Sequence, residues 1–396
     1  MEDNDWCVEC QSRSTIIMAA FVSALNGAAL SDPSASPNLA RPAAMQPGSF
    51  RERSGLRRVA HVRRSSRAPR RRIAGEENVR STARPAGAPC HMILEPPGAD
   101  YDVTWDVPTT TGSFGNVWFG TQISTGEQVV LKQANSDPVA NDLFSQEVYI
   151  NKKLAALSAK VSPAYWPEFL GCTEYKSQQV IVWRKAGSGD TLDHLLSSRP
   201  LDAVYATLGV SAPVSAQVRT GLFRKVIGEL LLAVVQIQSA GIYHRDIKPE
   251  NVIVVETDPD APLKLIDFGS SVDWSTPFKK GLGTATMDPL YGAPERRISV
   301  MNPDRFDVFS LGLIGVKCLC PDLSADSALL QFKNQLERYN YDLVTYCNAA
   351  GASSGITAVL NDPEGQSAFK LLAGMLSGNP ARRITAQKAL DSGYFF

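Results

Sequence analysis

The chain of 396 residues lacks any run of about 18 apolar residues, the length that a bilayer-crossing helix needs. The longest candidate, Ile16 to Leu30, is broken by Ser23, Asn26 and Gly27, so no spanning helix is predicted. Net charge is missing as well. Forty Lys and Arg balance forty Asp and Glu, leaving no overall field to draw the chain to nucleic acid or to an acidic surface. Cysteine is sparse: the seven residues Cys7, Cys10, Cys90, Cys172, Cys318, Cys320 and Cys347 are odd in number and scattered, which excludes a disulfide framework and fits a reducing compartment. What is present suffices for a large core. The chain is 44% hydrophobic and 20% charged, and at about 150 residues per domain its length implies two folded units plus something extra.

Lysine is absent from residues 1–98, which hold 14 Arg and 9 Asp and Glu, a net of +5 that leaves −5 for residues 99–396. Residues 31–90 are rich in Ala, Ser, Pro and Arg, with runs such as Arg70-Arg71-Arg72. They show no apolar periodicity to offset chain entropy, and a disordered leader is expected there. An Arg-, Ser- and Ala-rich leader poor in acids has the composition of an organellar transit peptide. The opening Met1-Glu2-Asp3-Asn4-Asp5 does not fit that pattern, whereas a start at Met18 fits it well. A solvated basic tail with no address is the competing reading.

From Tyr101 the texture changes. Tyr101 to Trp105, Asn116 to Phe119 and Gln128 to Lys132 read as three short strands separated by glycine-containing turns, and Gln179 to Trp183 as a further strand. Asn141 to Ala156 has helical spacing, and after His194 the balance shifts to helix. The clearest helix runs from Leu222 to Ser239, with one broad apolar face, and is stopped by Gly241.

Five stretches bear chemistry. Thr110-Thr111-Gly112-Ser113-Phe114-Gly115-Asn116-Val117 lies between strand candidates, where glycines let backbone approach a phosphate, although glycines in a hairpin are more often turn residues. Lys132 ends Val-Val-Leu-Lys, where a strand would hold an ammonium in a cleft, and Glu147 on the next helix candidate is placed to pair with it; a solvated helix residue is the alternative for Glu147. Next comes His244-Arg245-Asp246-Ile247-Lys248-Pro249-Glu250-Asn251, then Asp267-Phe268-Gly269, then Ala293-Pro294-Glu295.

This set, in this order and spacing, resembles the signature of the protein kinases. The resemblance implies an α+β bilobal fold: a β-rich lobe with one helix at about 100–182, a helical lobe at about 187–396, and ATP in the cleft between them. It implies that Gly112, Gly115, Val117, Lys132 and Glu147 serve ATP, and that Asn251 and Asp267 hold Mg²⁺. Asp246 would take the proton of the acceptor hydroxyl while Lys248 neutralises the moving phosphoryl. Lys248 two residues after Asp246 is the pattern of kinases acting on Ser and Thr. Arg245 would brace the activation segment, Asp307 would tie the catalytic loop, and Arg383 would be the buried partner of Glu295. A catalytically silent scaffold on the same fold is the alternative, supported by Thr110 where a first glycine would stand.

Three further stretches resemble the state-transition kinases of plant and algal thylakoids: Val182-Trp183-Arg184, Met287-Asp288-Pro289-Leu290-Tyr291, and Pro303 to Asp307 through Gln331-Phe332 to Tyr341-Asp342-Leu343. The resemblance implies a chloroplast kinase whose substrates are thylakoid antenna or photosystem proteins; the lack of a spanning run makes a stromal enzyme or one peripheral to the membrane the expectation. An active plastid kinase unrelated to antenna phosphorylation is the rival. Asp288 replaces the Thr usual in Ser/Thr kinases; it can pair with Lys248 but repels Asp246, so a constrained loop is expected. Thr284 and Thr286 are the candidate phosphorylation sites. Cys7 and Cys10 form a C-x-x-C, read as incidental, and Cys318-Leu319-Cys320 is read as helix core.

Overall fold

The alternation that begins at Tyr101 builds a six-stranded antiparallel sheet. In the computed structural model the described residues are 100–111, 115–211, 219–282, 288–350 and 355–395. Residues 1–98, Gly112, Thr284 and Thr286 lie outside them. The strands are β1 (Tyr101–Val103), β2 (Thr110–Thr111), β3 (Gly115–Gln122), β4 (Gln128–Ala134), β5 (Phe169–Tyr175) and β6 (Gln178–Arg184). Their order is β1-β3-β4-β6-β5, with β2 paired to β3. In register, Val117 lies opposite Lys132 and Lys132 opposite Ile181. Side chains alternate across a pleat, so β4 sends Val129 and Leu131 to one face and Lys132 to the other.

The first face is closed by Trp118, Val180 and Val182 around Val129 and Leu131, with Trp105 stacked on Tyr175 at 4.1 Å. The second receives helix α1 (Pro138–Ser158) through Ala140, Phe144 and Val148, packed on Ala134 and Ile181. The helix starts three residues before the expected Asn141. Asp137 caps it, its carboxylate accepting from Ala140 N at 2.9 Å, and Pro138 supplies a first-turn residue with no amide hydrogen to satisfy.

Beyond Arg184 the chain is mainly helical. Helices α2 (Leu192–Ser198) and α3 (Leu201–Leu208) precede α4 (Thr220–Ser239), whose Phe223, Val226, Ile227, Leu230, Leu231, Val234 and Ile237 are fully buried. Burying such side chains contributes roughly 1.5–3 kcal/mol each, so this helix is the axis of the larger core. It ends where Gly241 takes φ 72°, a left-handed turn that costs glycine least. Helix α5 (Phe306–Leu319) is buried on every side and packs against α4. It carries Cys318 within it, while Cys320 lies just past its end, buried and free. The later helices are α6 (Asp326–Arg338), α7 (Leu343–Ala350), α8 (Gly355–Ala358), α9 (Pro363–Met375) and α10 (Ala386–Leu390).

Two short antiparallel pairs set the chemistry-bearing loops. Strand β7 (Ile242–Tyr243) pairs with β10 (Val272–Asp273), and β8 (Val252–Val254) pairs with β9 (Leu263–Leu265). The segment His244–Asn251 therefore spans β7 to β8, and Asp267 follows β9 directly. Among the described residues no helix is long and apolar enough to cross a membrane.

Candidate active site

Three elements distant in sequence converge on one ammonium. Lys132 Nζ, on the central strand β4, lies 2.8 Å from Glu147 Oε2 on α1 and 2.9 Å from Asp267 Oδ1 beyond β9. Burial would lower the Lys132 ammonium, but the two carboxylates raise it. Burial pushes the Glu147 carboxyl up to about 7. The Asp267 carboxyl, which burial would raise, is held below its ordinary value by the Lys132 charge.

Asp246 faces the same cleft. Asn251 Nδ2 donates to the Asp246 carbonyl at 2.8 Å and to Asp246 Oδ2 at 3.0 Å, which fixes the carboxylate and leaves the Asn251 amide oxygen as that side chain's acceptor. Burial raises the Asp246 carboxyl, making it a better proton acceptor than a solvated aspartate. Lys248 Nζ lies 3.3 Å from Asp246 Oδ2 and 3.5 Å from Asp288 Oδ2. It stands between the two carboxylates and offsets the repulsion expected of Asp288. Asp288 also caps its own turn: Oδ1 accepts from Leu290 N at 2.8 Å and Tyr291 N at 3.0 Å.

Comparison with known proteins adds the family. The protein kinase domain matches residues 110–395. The chain belongs to this family. It is similar to the chloroplastic serine/threonine-protein kinase STN7 of Arabidopsis thaliana, 30% identical over 268 residues, covering 60% of this chain and 45% of that protein. It is also similar to the chloroplastic serine/threonine-protein kinase STN8 of the same plant, 25% identical over 256 residues, 55% of this chain and 50% of that one. The chain thus spans about half the length of these curated relatives. In fold it matches the crystal structure of an Stt7 homologue from Micromonas algae soaked with ATP, with a TM-score of 0.65 at 23% identity over 80% of this chain and 98% of the other.

Within the kinase domain, the supporting pairs that the resemblance implied meet. Asp307 accepts from His244 N at 2.8 Å and Arg245 N at 2.7 Å, fixing the start of the segment His244–Asn251. Arg383 and Glu295 form a bidentate pair at 2.8 and 2.9 Å, and the Arg383 side chain is wholly buried. Arg245, at φ 69°, donates through Nε to Ser270 O at 2.7 Å and through its terminal nitrogens to Leu282 O and Gly281 O. Burial lowers it to about 10. The carbonyls of Ser270, Gly281 and Leu282 thus occupy this guanidinium.

At the glycine-containing hairpin, Val117 is Lys132's cross-strand neighbour. A Cβ on Gly115 would lie 2.4 Å from the Gln133 carbonyl, so close strand approach alone demands glycine there. Thr110, where a first glycine would stand, pairs with Val117 in β2.

Motif spacing does not reach several groups that hold the site together. Tyr149 donates to Asp273 Oδ2 at 2.7 Å, Lys153 pairs with Asp273 Oδ1 at 2.8 Å, and Gln146 Nε2 donates to Ser271 O at 3.0 Å. These bonds tie α1, and with it Glu147, to the activation segment. Lys333, on α6, is another such group. Its signal in the sequence is a lysine within the apolar stripe Leu329, Phe332 and Leu336.

Proposed function

We propose that this chain transfers the γ-phosphoryl group of ATP to Ser and Thr hydroxyls of proteins. The observation that carries the reading is the convergence of Lys132, Glu147, Asp267, Asp246 and Asn251 in one cleft. Lys132, positioned by Glu147, places its charge on the α- and β-phosphates. Asp246 takes the proton of the acceptor hydroxyl as its oxygen attacks the γ-phosphorus, and the bond to the ADP oxygen breaks. Lys248 offsets charge on the moving phosphoryl. Such catalysis is mostly positioning and electrostatics.

The Asn251 amide oxygen and the Asp267 carboxylate are hard oxygen donors that suit Mg²⁺. Bound there, the ion would neutralise phosphate charge. In this reading Gly112 and Gly115 belong to the loop over the phosphates, and residues 99–396 form the catalytic domain.

The similarity to two chloroplastic kinases and the composition of residues 1–98 support a chloroplast enzyme with a transit-peptide leader, acting on thylakoid antenna or photosystem proteins. The test adds full-length wild type or Asp246→Asn, with radiolabelled ATP, to chloroplast membranes. Ser/Thr labelling of membrane proteins by wild type alone is the expected result. Labelling of generic substrates but not membranes would leave a kinase unrelated to antenna proteins.

A further inference from the structure

Lys333 Nζ lies at the end of a chain rooted on the buried face of α6, beside Leu329, Phe332 and Leu336, and the residue is 8% exposed. Its ammonium has a full set of acceptors: Pro289 O at 2.8 Å, Leu290 O at 2.9 Å and Gly292 O at 2.9 Å. Three N–H donors meet three carbonyls, so every proton of the cation is used. All three carbonyls belong to the turn that Asp288 opens. Asp288 takes the amides of that turn, its side chain accepting from Leu290 N and Tyr291 N and its carbonyl from Gly292 N at 2.9 Å. Lys333 takes the carbonyls. Between them, the Asp288 carboxylate takes two of the turn's amides and the Lys333 ammonium three of its four carbonyls.

A buried ammonium is expensive unless fully hydrogen-bonded. A neutral residue would fill the α6 stripe at lower cost, so packing does not explain a lysine there. The carbonyls it gathers lie next to Asp288, which contacts Lys248 beside Asp246. The same turn continues into Tyr291, whose carbonyl accepts from Ser310 Oγ at 2.9 Å, tying it down onto α5.

We infer that Lys333 is a positioning residue for the protein substrate: it fixes the 289–292 backbone as the floor on which the residues flanking the acceptor hydroxyl lie. The inference rests on the phosphotransferase reading for its kinetic consequence and on geometry alone for the anchoring. Lys333 touches neither ATP nor the reacting atoms. Its loss weakens protein-substrate binding and leaves nucleotide binding intact.

The test uses the full chain as wild type, Lys333→Met and Lys333→Arg, with folding verified by thermal unfolding. Amide hydrogen exchange of residues 288–295, read by mass spectrometry, reports the anchor without any need for activity. Steady-state kinetics report KM for a Ser/Thr protein substrate and for ATP separately. Lys333→Met is expected to speed exchange in that segment and raise the protein KM about tenfold, with the ATP KM changed less than about twofold. Lys333→Arg, which keeps the cation, restores part of both. If Lys333→Met does not fold, Lys333→Gln, which keeps one donor group, is read in the same way. Unchanged exchange, or both KM values rising alike, overturns the inference. Absence of phosphoryl transfer in the wild type would instead overturn the proposed function, with exchange still deciding whether Lys333 anchors the turn.

Discussion

At the end of the cleft read as nucleotide-binding, one ammonium, Lys132, lies between two carboxylates at 2.8 and 2.9 Å. At the acceptor end another, Lys333, lies among three backbone carbonyls at 2.8–2.9 Å. The first cluster joins the sheet, α1 and the loop after β9, so it exists only when both lobes are placed correctly. The second joins one helix to one turn within the helical lobe. A side-chain cluster is broken by changing any member. A lysine on carbonyls is indifferent to the side chains of the turn it holds, so it can fix backbone geometry while the loop's own residues vary.

The comparison is broken most severely at Lys132. Replacing it with Met is expected to lower kcat/KM by about 10²–10³-fold, a size typical of removing one charge-stabilising group. It also leaves Glu147 and Asp267 without their shared cation. Kinetics at saturating and limiting ATP check this; a change below about tenfold would mean that the cluster serves structure alone.

Stability, as opposed to turnover, is sharpened at Arg383. Arg383→Met strands Glu295 and removes donors from Arg305 O and Ser377 O, and is expected to cost about 3–5 kcal/mol in chemical denaturation. A loss below about 1 kcal/mol would put the pair in the class of exposed bridges.

A smaller effect is expected at Asp288. Thr in its place loses the pairing with Lys248 and replaces a charged cap by a neutral one, for a cost of about 1 kcal/mol and a rise in protein-substrate KM. Unchanged stability and kinetics would remove the carboxylate from the account.

A further effect concerns pH. Burial pulls Lys333 from its ordinary 10.5 down to about 8, against the pull of Asp288 and Glu337. Between those values the unfolded chain holds a proton that the folded chain has lost, so the stability of wild type relative to Lys333→Met rises with pH from about 8 to 10.5. Urea unfolding of both at pH 7.5 and about 9.5 measures this; a relative fall would show that the carbonyls outweigh burial and keep the cation charged.

Legibility in the sequence follows the same division. The β-rich and helical lobes and the helix ending at Gly241 were readable because alternation and periodicity encode them locally, and the members of the Lys132 and Asp246 clusters because they belong to stretches that resemble the kinase signature. Strand β5 was not. Its side chains are half-buried throughout and show no clean alternation. The start of α1 had its signal in Asp137-Pro138, a cap followed by a first-turn proline, though the apolar spacing begins later. Lys333, Tyr149 and Asp273 escaped for a different reason: their partners are backbone groups or side chains 41 to 124 residues away, outside the stretches that carry the kinase resemblance. Asp288 was legible as a departure from a pattern, yet its two capping bonds are a property of the folded turn.

The account stands or falls on whether the cleft turns over what it binds. Calorimetric titration of the full chain with ATP and Mg²⁺, run beside phosphopeptide formation, measures both for wild type and Asp246→Asn. The account predicts ATP affinities within about twofold of each other and Ser/Thr phosphorylation by wild type alone. Wild type that binds ATP and transfers nothing, like its Asp246→Asn variant, would contradict it and make the fold a silent scaffold.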